Sequence, residues 1–217
     1  MRLAELRAAA RRIVVLCEGD SEELAVKHLL RRQFALENLA AVGLHPINLA
    51  AKLDDIFVKT RLFRADERVL AVFTLIDLFG LNRRCHLPDG DLDQKVGAVR
   101  AWLRAGVGHM DPGFFRPHIS VHDIEAWLLA EGRSLARRLK HRTLRPCRHA
   151  ESLNLIRPPK YRMKELFHRH LHRGYEEVRD GTALFRDLAH ETVYASCRYY
   201  RELYDDLIGV ARQTLSR

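Results

Sequence analysis

Apolar residues in the first 130 positions fall into short unbroken runs, separated by longer stretches in which apolar and polar residues mix. The runs RIVVLC at 12–17 and RVLAVFTLI at 68–76 are continuous rather than alternating, which is typical of strands covered on both faces. Shorter runs at 45–49 and 116–121 predict two more strands, the last one despite Pro117, which suits the first turn of a strand or a sheet edge. The pattern therefore predicts about four strands.

Helical patterns lie between and after these runs, at about 20–37, 53–65, 92–105 and 122–130. Strands that alternate with helices favour right-handed βαβ units. We therefore expect an α/β fold with a mainly parallel sheet flanked by helices.

The character of the chain changes at about residue 132, where the strand signals stop. The pattern then predicts helices at 133–141, 160–171 and 190–215. We expect an α/β core over residues 1–131 and a helical extension over residues 132–217 that packs on the core.

Charge and composition narrow the class of protein. The chain has 217 residues, a formal net charge of +9 and four widely spaced cysteines. The basic balance favours a polyanionic partner, with a solvated arginine-rich surface as the alternative. No apolar run reaches the roughly 18 residues of a membrane span. We expect a cytoplasmic protein that does not enter a membrane.

Acidic residues follow three of the predicted strands. Glu18 follows the first, Asp77 follows the long apolar run, and Asp123 and Glu125 follow the last. Because the carboxyl ends of parallel strands share one edge of a sheet, these side chains are expected to converge there. Glu22, near the start of the next helix, is expected close to the same edge.

Clustered carboxylates repel one another and raise each other's pKa unless a cation neutralises them. Their oxygen atoms suit Mg²⁺ or Mn²⁺, which can hold a phosphodiester and activate water for attack. Because Asp123 and Glu125 are two residues apart in a predicted helix, we expect only one of them to face the metal. The alternative is that these acids have only a structural role, because acidic residues also commonly end strands and begin helices.

Two segments resemble the TOPRIM fold, which topoisomerases, primases and OLD-type nucleases share. The segment LCEGDSE at 16–22 is similar to its EGxxE strand–turn–helix, and LIDLFG at 75–80 resembles its second acidic strand end.

The resemblance is closer to one TOPRIM-like family that is described only as a domain of unknown function. The segment HDIEAWLL at 122–129 is similar to that family's HEFEALLF motif. A late motif is matched by ESLN at 151–154, Pro159-Lys160 and Gly174-Tyr175. The similar segments span residues 12 to 207, in the family's order.

This resemblance implies a metal-dependent nuclease in which Glu18, Asp77 and Glu125 are catalytic and Glu22 and Asp123 are further metal ligands. It also implies an ATPase partner in bacterial anti-phage defence. The chain departs from the TOPRIM pattern because Leu78 and Phe79 follow Asp77, so the DxD motif is missing. A non-catalytic binding or regulatory subunit is therefore the alternative, and a phosphotransfer or hydrolase activity on nucleotides at the same metal site is a third hypothesis.

Basic residues are concentrated after the third motif. We expect Lys160, Arg162 and Lys164 to contact nucleic acid, and Lys160 also matches the family's late motif. The alternative is a solvated helical face. The stretch that precedes them is also dense in basic residues: Arg133, Arg137, Arg138, Lys140, His141, Arg142, Arg145 and Arg148.

Overall fold

A computed structural model describes residues 11–81, 85, 87–121, 123–147, 150–151 and 158–216, with the backbone alone at 79 and 80. Its sheet has four parallel strands in the order β2-β1-β3-β4, which confirms the predicted α/β class. The strands are β1 (Arg12–Cys17), β2 (Gly43–Asn48), β3 (Val69–Asp77) and β4 (Phe115–Ser120).

The two central strands are buried on both faces, which explains why their sequences do not alternate. In β1, Ile13 and Val15 pack into one core while Val14 and Leu16 pack into another. All four side chains are fully buried. The sheet therefore separates two hydrophobic cores, one on each face.

The order of the strands changes direction between β1 and β3. The chain passes from β1 outward to β2 and then crosses back over β1 to form β3. In parallel α/β sheets, ligands bind at such a switch point, in the crevice beyond the carboxyl ends of the strands.

Each edge strand contains a proline whose backbone nitrogen lies on the outer side of the strand, away from its neighbour. In β2, the amides of Gly43 and Leu49 point to β1. The nitrogen of Pro46, an odd number of residues from each, therefore points outward. In β4, the carbonyl of Phe114 faces β3, so Pro117 also points outward. The edge position that Pro117 predicts is confirmed.

In the first half of the chain, two helices joined end to end follow β1, and three separate helices come after them. A π-helical segment, Ala25–Leu30, joins α1 to α2 without a break. These helices are α1 (Asp20–Leu24), α2 (Arg31–Leu36), α3 (Asp55–Arg64), α4 (Leu78–Leu81) and α5 (Leu92–Val107).

After β4, every regular secondary-structure element in the described part of the chain is helical. A second π-helical segment spans Glu177–Gly181. The helices are α6 (Glu125–Glu131), α7 (Arg133–Arg138), α8 (Pro159–Leu171), α9 (Thr182–Asp187), α10 (His190–Ser196) and α11 (Arg198–Leu215). In the described part of the chain, none of the helices is both long and apolar enough to cross a membrane.

The prediction of one closing helix over 190–215 is wrong, because Cys197 is extended and separates α10 from α11. The carboxylate of Glu151 lies at this break. It accepts hydrogen bonds from the backbone amides of Tyr199 at 3.1 Å and Tyr200 at 3.3 Å. A buried acid therefore binds the first amides of α11, which a continuous helix would have bonded internally.

Candidate functional site

Glu18 and Asp77 lie side by side at the switch point of the sheet. Glu18 follows β1 and Asp77 ends β3, and these two strands are neighbours. Oε2 of Glu18 accepts a hydrogen bond from the backbone amide of Asp77 at 2.9 Å. Burial raises the pKa of Glu18, although this hydrogen bond opposes the shift. The topology thus joins two acids that are 59 residues apart in sequence.

Glu22 turns back from α1 toward the same place. Its side chain is almost fully buried, and its Oε2 accepts a hydrogen bond from the amide of Gly19 at 3.1 Å. Burial, together with the charges of Glu125, Glu18 and Asp77, raises the pKa of Glu22 to about 8. A carboxyl group with this pKa is largely protonated at neutral pH when no cation is near it.

Glu125 enters the site from the first turn of α6 and is 2% exposed. Its Oε1 accepts hydrogen bonds from the hydroxyl groups of Ser21 at 3.0 Å and Tyr175 at 3.3 Å. Burial and the charge of Asp123 raise the pKa of Glu125 to about 7, although Lys160 and Ser21 oppose the shift.

Asp123 precedes α6, so the prediction that places it within a helix is wrong. His122, with which that predicted helix begins, lies outside the described residues. Oδ2 of Asp123 accepts a hydrogen bond from the backbone amide of Lys160 at 2.9 Å. Because only Glu125 is in the helix, the helical rotation that would point residues i and i+2 in different directions does not apply to this pair. Both acids line the same cleft.

The cleft has a volume of about 380 Å³ and lies beyond the carboxyl ends of the strands. All five acids predicted from the sequence line it: Glu18, Glu22, Asp77, Asp123 and Glu125. Asp20, Ser21, Asn48, Lys160 and Glu177 also contribute to its wall. One of the three predicted phosphate-binding residues, Lys160, is therefore part of the cleft.

Lys160 supplies a positive charge to this acidic cleft. Its Nζ lies 2.7 Å from Oε1 of Glu177. Burial alone would lower the pKa of Lys160, but the hydrogen bond and charge of Glu177 outweigh it. The charges of Glu125 and Asp123 add to this effect, so the pKa is raised and the ammonium form is favoured. Arg162 and Lys164 are exposed on α8.

Sequence reasoning did not identify Ser21, Tyr175 or Glu177 as site residues. The Ser21 hydroxyl lies 3.0 Å from Oε1 of Glu125 and 3.3 Å from Oε2 of Glu177, but it has one proton to donate. Tyr175 could have been found from the sequence, because it lies in the late motif, whereas no motif includes Glu177. Both come from the segment after α8, far along the chain from the strand ends.

The chemistry of the donors fits a divalent metal ion. Carboxylate oxygens are the ligands that Mg²⁺ and Mn²⁺ prefer. The hydrogen bonds described for Glu18, Glu22, Asp123 and Glu125 each use one oxygen of a carboxylate that has two. Within the described residues, no group of three or more acidic, histidine or cysteine side chains is already close enough to hold an ion. Metal binding would therefore require the carboxylates to turn inward.

A family model for a domain of unknown function, DUF4276, matches residues 17–208. The chain belongs to the DUF4276 family. The expectation of a family described only as a domain of unknown function is therefore confirmed. The match on this DUF4276 chain includes every site residue described above. No curated protein matches the sequence.

Among solved structures, the DUF4276 chain is similar to the C-terminal region of the Xanthomonas campestris pv. campestris OLD protein. With the structure phased with iodine it shares 16% identity and a TM-score of 0.49, over 95% of this chain and 98% of that one. With the structure phased with platinum it shares 16% identity and a TM-score of 0.40, over 90% of this chain and 94% of that one.

Proposed function

We propose that this protein is a metal-dependent nuclease of the TOPRIM type. The observation that carries the proposal is the convergence of five carboxylates, at or soon after the ends of three strands, in one cleft at the switch point of the sheet. Two of these carboxylates are buried, and no arginine contacts either of them among the described residues. Such an arrangement is costly for a purely structural role and suits a bound cation.

In this proposal Asp77 and Glu125 hold Mg²⁺ or Mn²⁺, Glu22 and Asp123 are further ligands, and Glu18 acts either as a ligand or as the general acid or base. The bound metal would neutralise phosphate charge and lower the pKa of an attacking water. Ser21 and Tyr175 orient Glu125 through its Oε1, so that Oε2 is left for the ion. Glu18, whose pKa is raised, is the candidate general acid or base.

The proposed substrate is nucleic acid, with Lys160 contacting phosphate inside the cleft and Arg162 and Lys164 contacting it on α8. The resemblance to OLD-type nucleases also supports an ATPase partner and a role in anti-phage defence, in the cytoplasm. The net charge of +9 is consistent with a polyanionic substrate.

Asp77→Asn tests the metal site, because it removes one negative charge and leaves the amide that bonds Glu18 in place. We expect Mg²⁺ or Mn²⁺ to raise the melting temperature of the wild type and to support cleavage of mixed DNA and RNA. Both effects should be lost in Asp77→Asn. Differential scanning fluorimetry and gel-based cleavage assays would measure them.

Asp55→Asn is the matched control, because Asp55 is a surface acid on α3 that pairs loosely with Lys59 at 3.8 Å. It should behave as the wild type does. An Asp77→Asn protein that folds and keeps full metal-dependent cleavage would contradict the proposed mechanism.

The second candidate function is a non-catalytic binding or regulatory subunit. The missing DxD motif and the lack of a preformed three-ligand group in the described residues favour it. In that case the wild type would show no metal-dependent rise in melting temperature and no cleavage, alone or with an ATPase partner.

A further inference from the structure

The positive charge of this protein is concentrated in one segment. Residues 132–173 contain 13 lysines and arginines but only two glutamates, a net charge of +11. The whole chain has a net charge of +9, so the other 175 residues together carry −2. A general enrichment in arginine would spread the charge along the chain, whereas this distribution points to one binding surface.

Helix α8 exposes three of these charges. Pro159, Met163 and Phe167 are buried, and Met163 and Phe167 belong to the core that contains Ile13 and Val15. The exposed surface of the helix carries Arg162 and Arg169 on one flank and Lys164 on the other. At 1.5 Å per residue, the 13 residues of α8 form a track about 20 Å long.

One end of this track is fixed at the acidic cleft. The backbone amide of Lys160, in the first turn of α8, donates to Asp123 at 2.9 Å. The side chain of Lys160 lines the cleft itself. A polyanion that follows α8 toward its N-terminus therefore arrives at the five carboxylates.

The other end of the track meets the basic loop after α7. The ring of His170 packs on the ring of His141, with centroids 4.7 Å apart. Arg138 and Arg173 both pair with Asp180, at 2.7 Å each. These contacts place the exposed loop next to the end of α8. We call Arg162, Lys164, Arg169, Lys140 and Arg142 the basic face.

Tyr161 lies where the basic face meets the cleft. It follows Lys160 in the first turn of α8, and it is 56% exposed. An aromatic ring exposed beside basic residues can stack on an unpaired base, whereas the bases of a duplex are already stacked on each other. The position of Tyr161 therefore favours a single strand over a duplex.

We propose that the basic face binds the backbone of a single-stranded nucleic acid and that Tyr161 stacks on a base as the strand enters the cleft. The inference rests on the proposed function for the choice of nucleic acid as the partner. It does not depend on the metal, because binding along α8 uses arginine, lysine and tyrosine side chains only.

Fluorescence anisotropy of the full chain in EDTA, with a fluorescein-labelled 15-nucleotide single strand and the matching duplex, tests this proposal. Tyr161→Ala should weaken binding of the single strand about 5- to 150-fold, whereas Tyr161→Phe should bind as the wild type does. Arg162→Ala/Lys164→Ala should weaken binding and reduce the slope of log affinity against log salt by about 1.4.

Arg61→Ala is the matched control, because Arg61 is an exposed arginine on α3, which packs on the opposite face of the sheet. Equal losses in Arg61→Ala and the double variant would overturn the basic face. Equal binding of duplex and single strand, with no loss in Tyr161→Ala, would overturn the single-strand specificity. Binding of poly-glutamate as tight as that of the oligonucleotide would instead indicate an acidic protein partner.

Because EDTA removes divalent ions, this binding assay and the cleavage assay can fail separately. Binding without metal-dependent cleavage would contradict the nuclease and leave the strand-binding surface standing. Metal-dependent cleavage with unchanged binding in Tyr161→Ala and in the double variant would support the nuclease and contradict the strand-binding surface.

Discussion

Two parts of this molecule bury carboxylates in opposite ways. In the cleft, Glu22 and Glu125 are buried beside other acids, and their pKa values are raised to about 8 and about 7. In the second π-helical segment, Asp180 is fully buried but pairs with Arg138 and Arg173.

The pKa of Asp180 shows how neighbouring arginines offset the effect of burial on a carboxylate. Burial alone would raise it, but hydrogen bonds from Arg173, the amide of Glu176 and Arg138 hold it well below its ordinary value. Asp180 is thus ionised and joins α7 to the end of α8. The contrast shows that the fold supplies arginine counter-charges to Asp180, whereas among the described residues no arginine contacts Glu22 or Glu125, which is the arrangement that the proposed metal site requires.

The largest effect should come from breaking the compensated site with Asp180→Asn. This change weakens two charge-assisted hydrogen bonds and leaves two half-buried arginines without their counter-charge, so we expect a loss of about 3–5 kcal/mol in the free energy of unfolding. Urea denaturation would measure it. Asp187→Asn, at an exposed acid in the next helix, should change stability little, and equal losses in both variants would contradict this account of Asp180.

In the cleft, neutralising Glu22 should raise the stability of the protein rather than lower it. A glutamate ionises near pH 4.5 in the unfolded chain, but Glu22 holds its proton to about pH 8 in the folded protein. Between these values the folded state binds more protons, so the free energy of unfolding falls by about 1.4 kcal/mol for each pH unit. Glu22→Gln removes this penalty and should be more stable than the wild type at pH 8.5 in EDTA.

At about pH 3.5 and below, Glu22 is largely neutral in both states, and Glu22→Gln and the wild type should be nearly equal in stability. The neighbouring change Glu23→Gln is a suitable control, because Glu23 pairs with Lys27 at 2.8 Å on the surface. Stability curves for Glu22→Gln and the wild type that run parallel from pH 5 to pH 8.5 would rule out the raised pKa.

The smallest effect is expected at Glu151, a buried acid whose partners are backbone amides rather than arginines. Glu151→Ala leaves the amides of Tyr199 and Tyr200 without that acceptor, which should cost about 1–2 kcal/mol. Thermal unfolding followed by circular dichroism would measure the loss. An unchanged stability would show that water replaces the carboxylate.

The sequence was most informative where local pattern and topology act together. The apolar runs of β1 and β3 predict buried parallel strands, and parallel strands bring Glu18 and Asp77 to one edge whatever the rest of the chain does. The division into a core over 1–131 and an extension over 132–217 stays a prediction. The later helices share with the sheet the core that contains Ile13 and Val15.

Contacts between distant segments could not be predicted. The break at Cys197 depends on Glu151, which lies 46 residues earlier, and no local pattern in 190–215 interrupts the helical periodicity. Glu177 reaches Lys160 and Ser21 only after the chain has folded back over α1. Such residues are selected by three-dimensional neighbours, which hydrophobic periodicity does not record.

The outward-facing prolines of β2 and β4 limit how this sheet can grow. A strand from another molecule, added beside either edge, would meet a position with no amide hydrogen near the middle of the edge strand, at Pro46 or Pro117. Each addition would therefore lose a hydrogen bond that a regular edge would form. Edge-to-edge growth of this sheet into larger assemblies is therefore opposed at both of its edges.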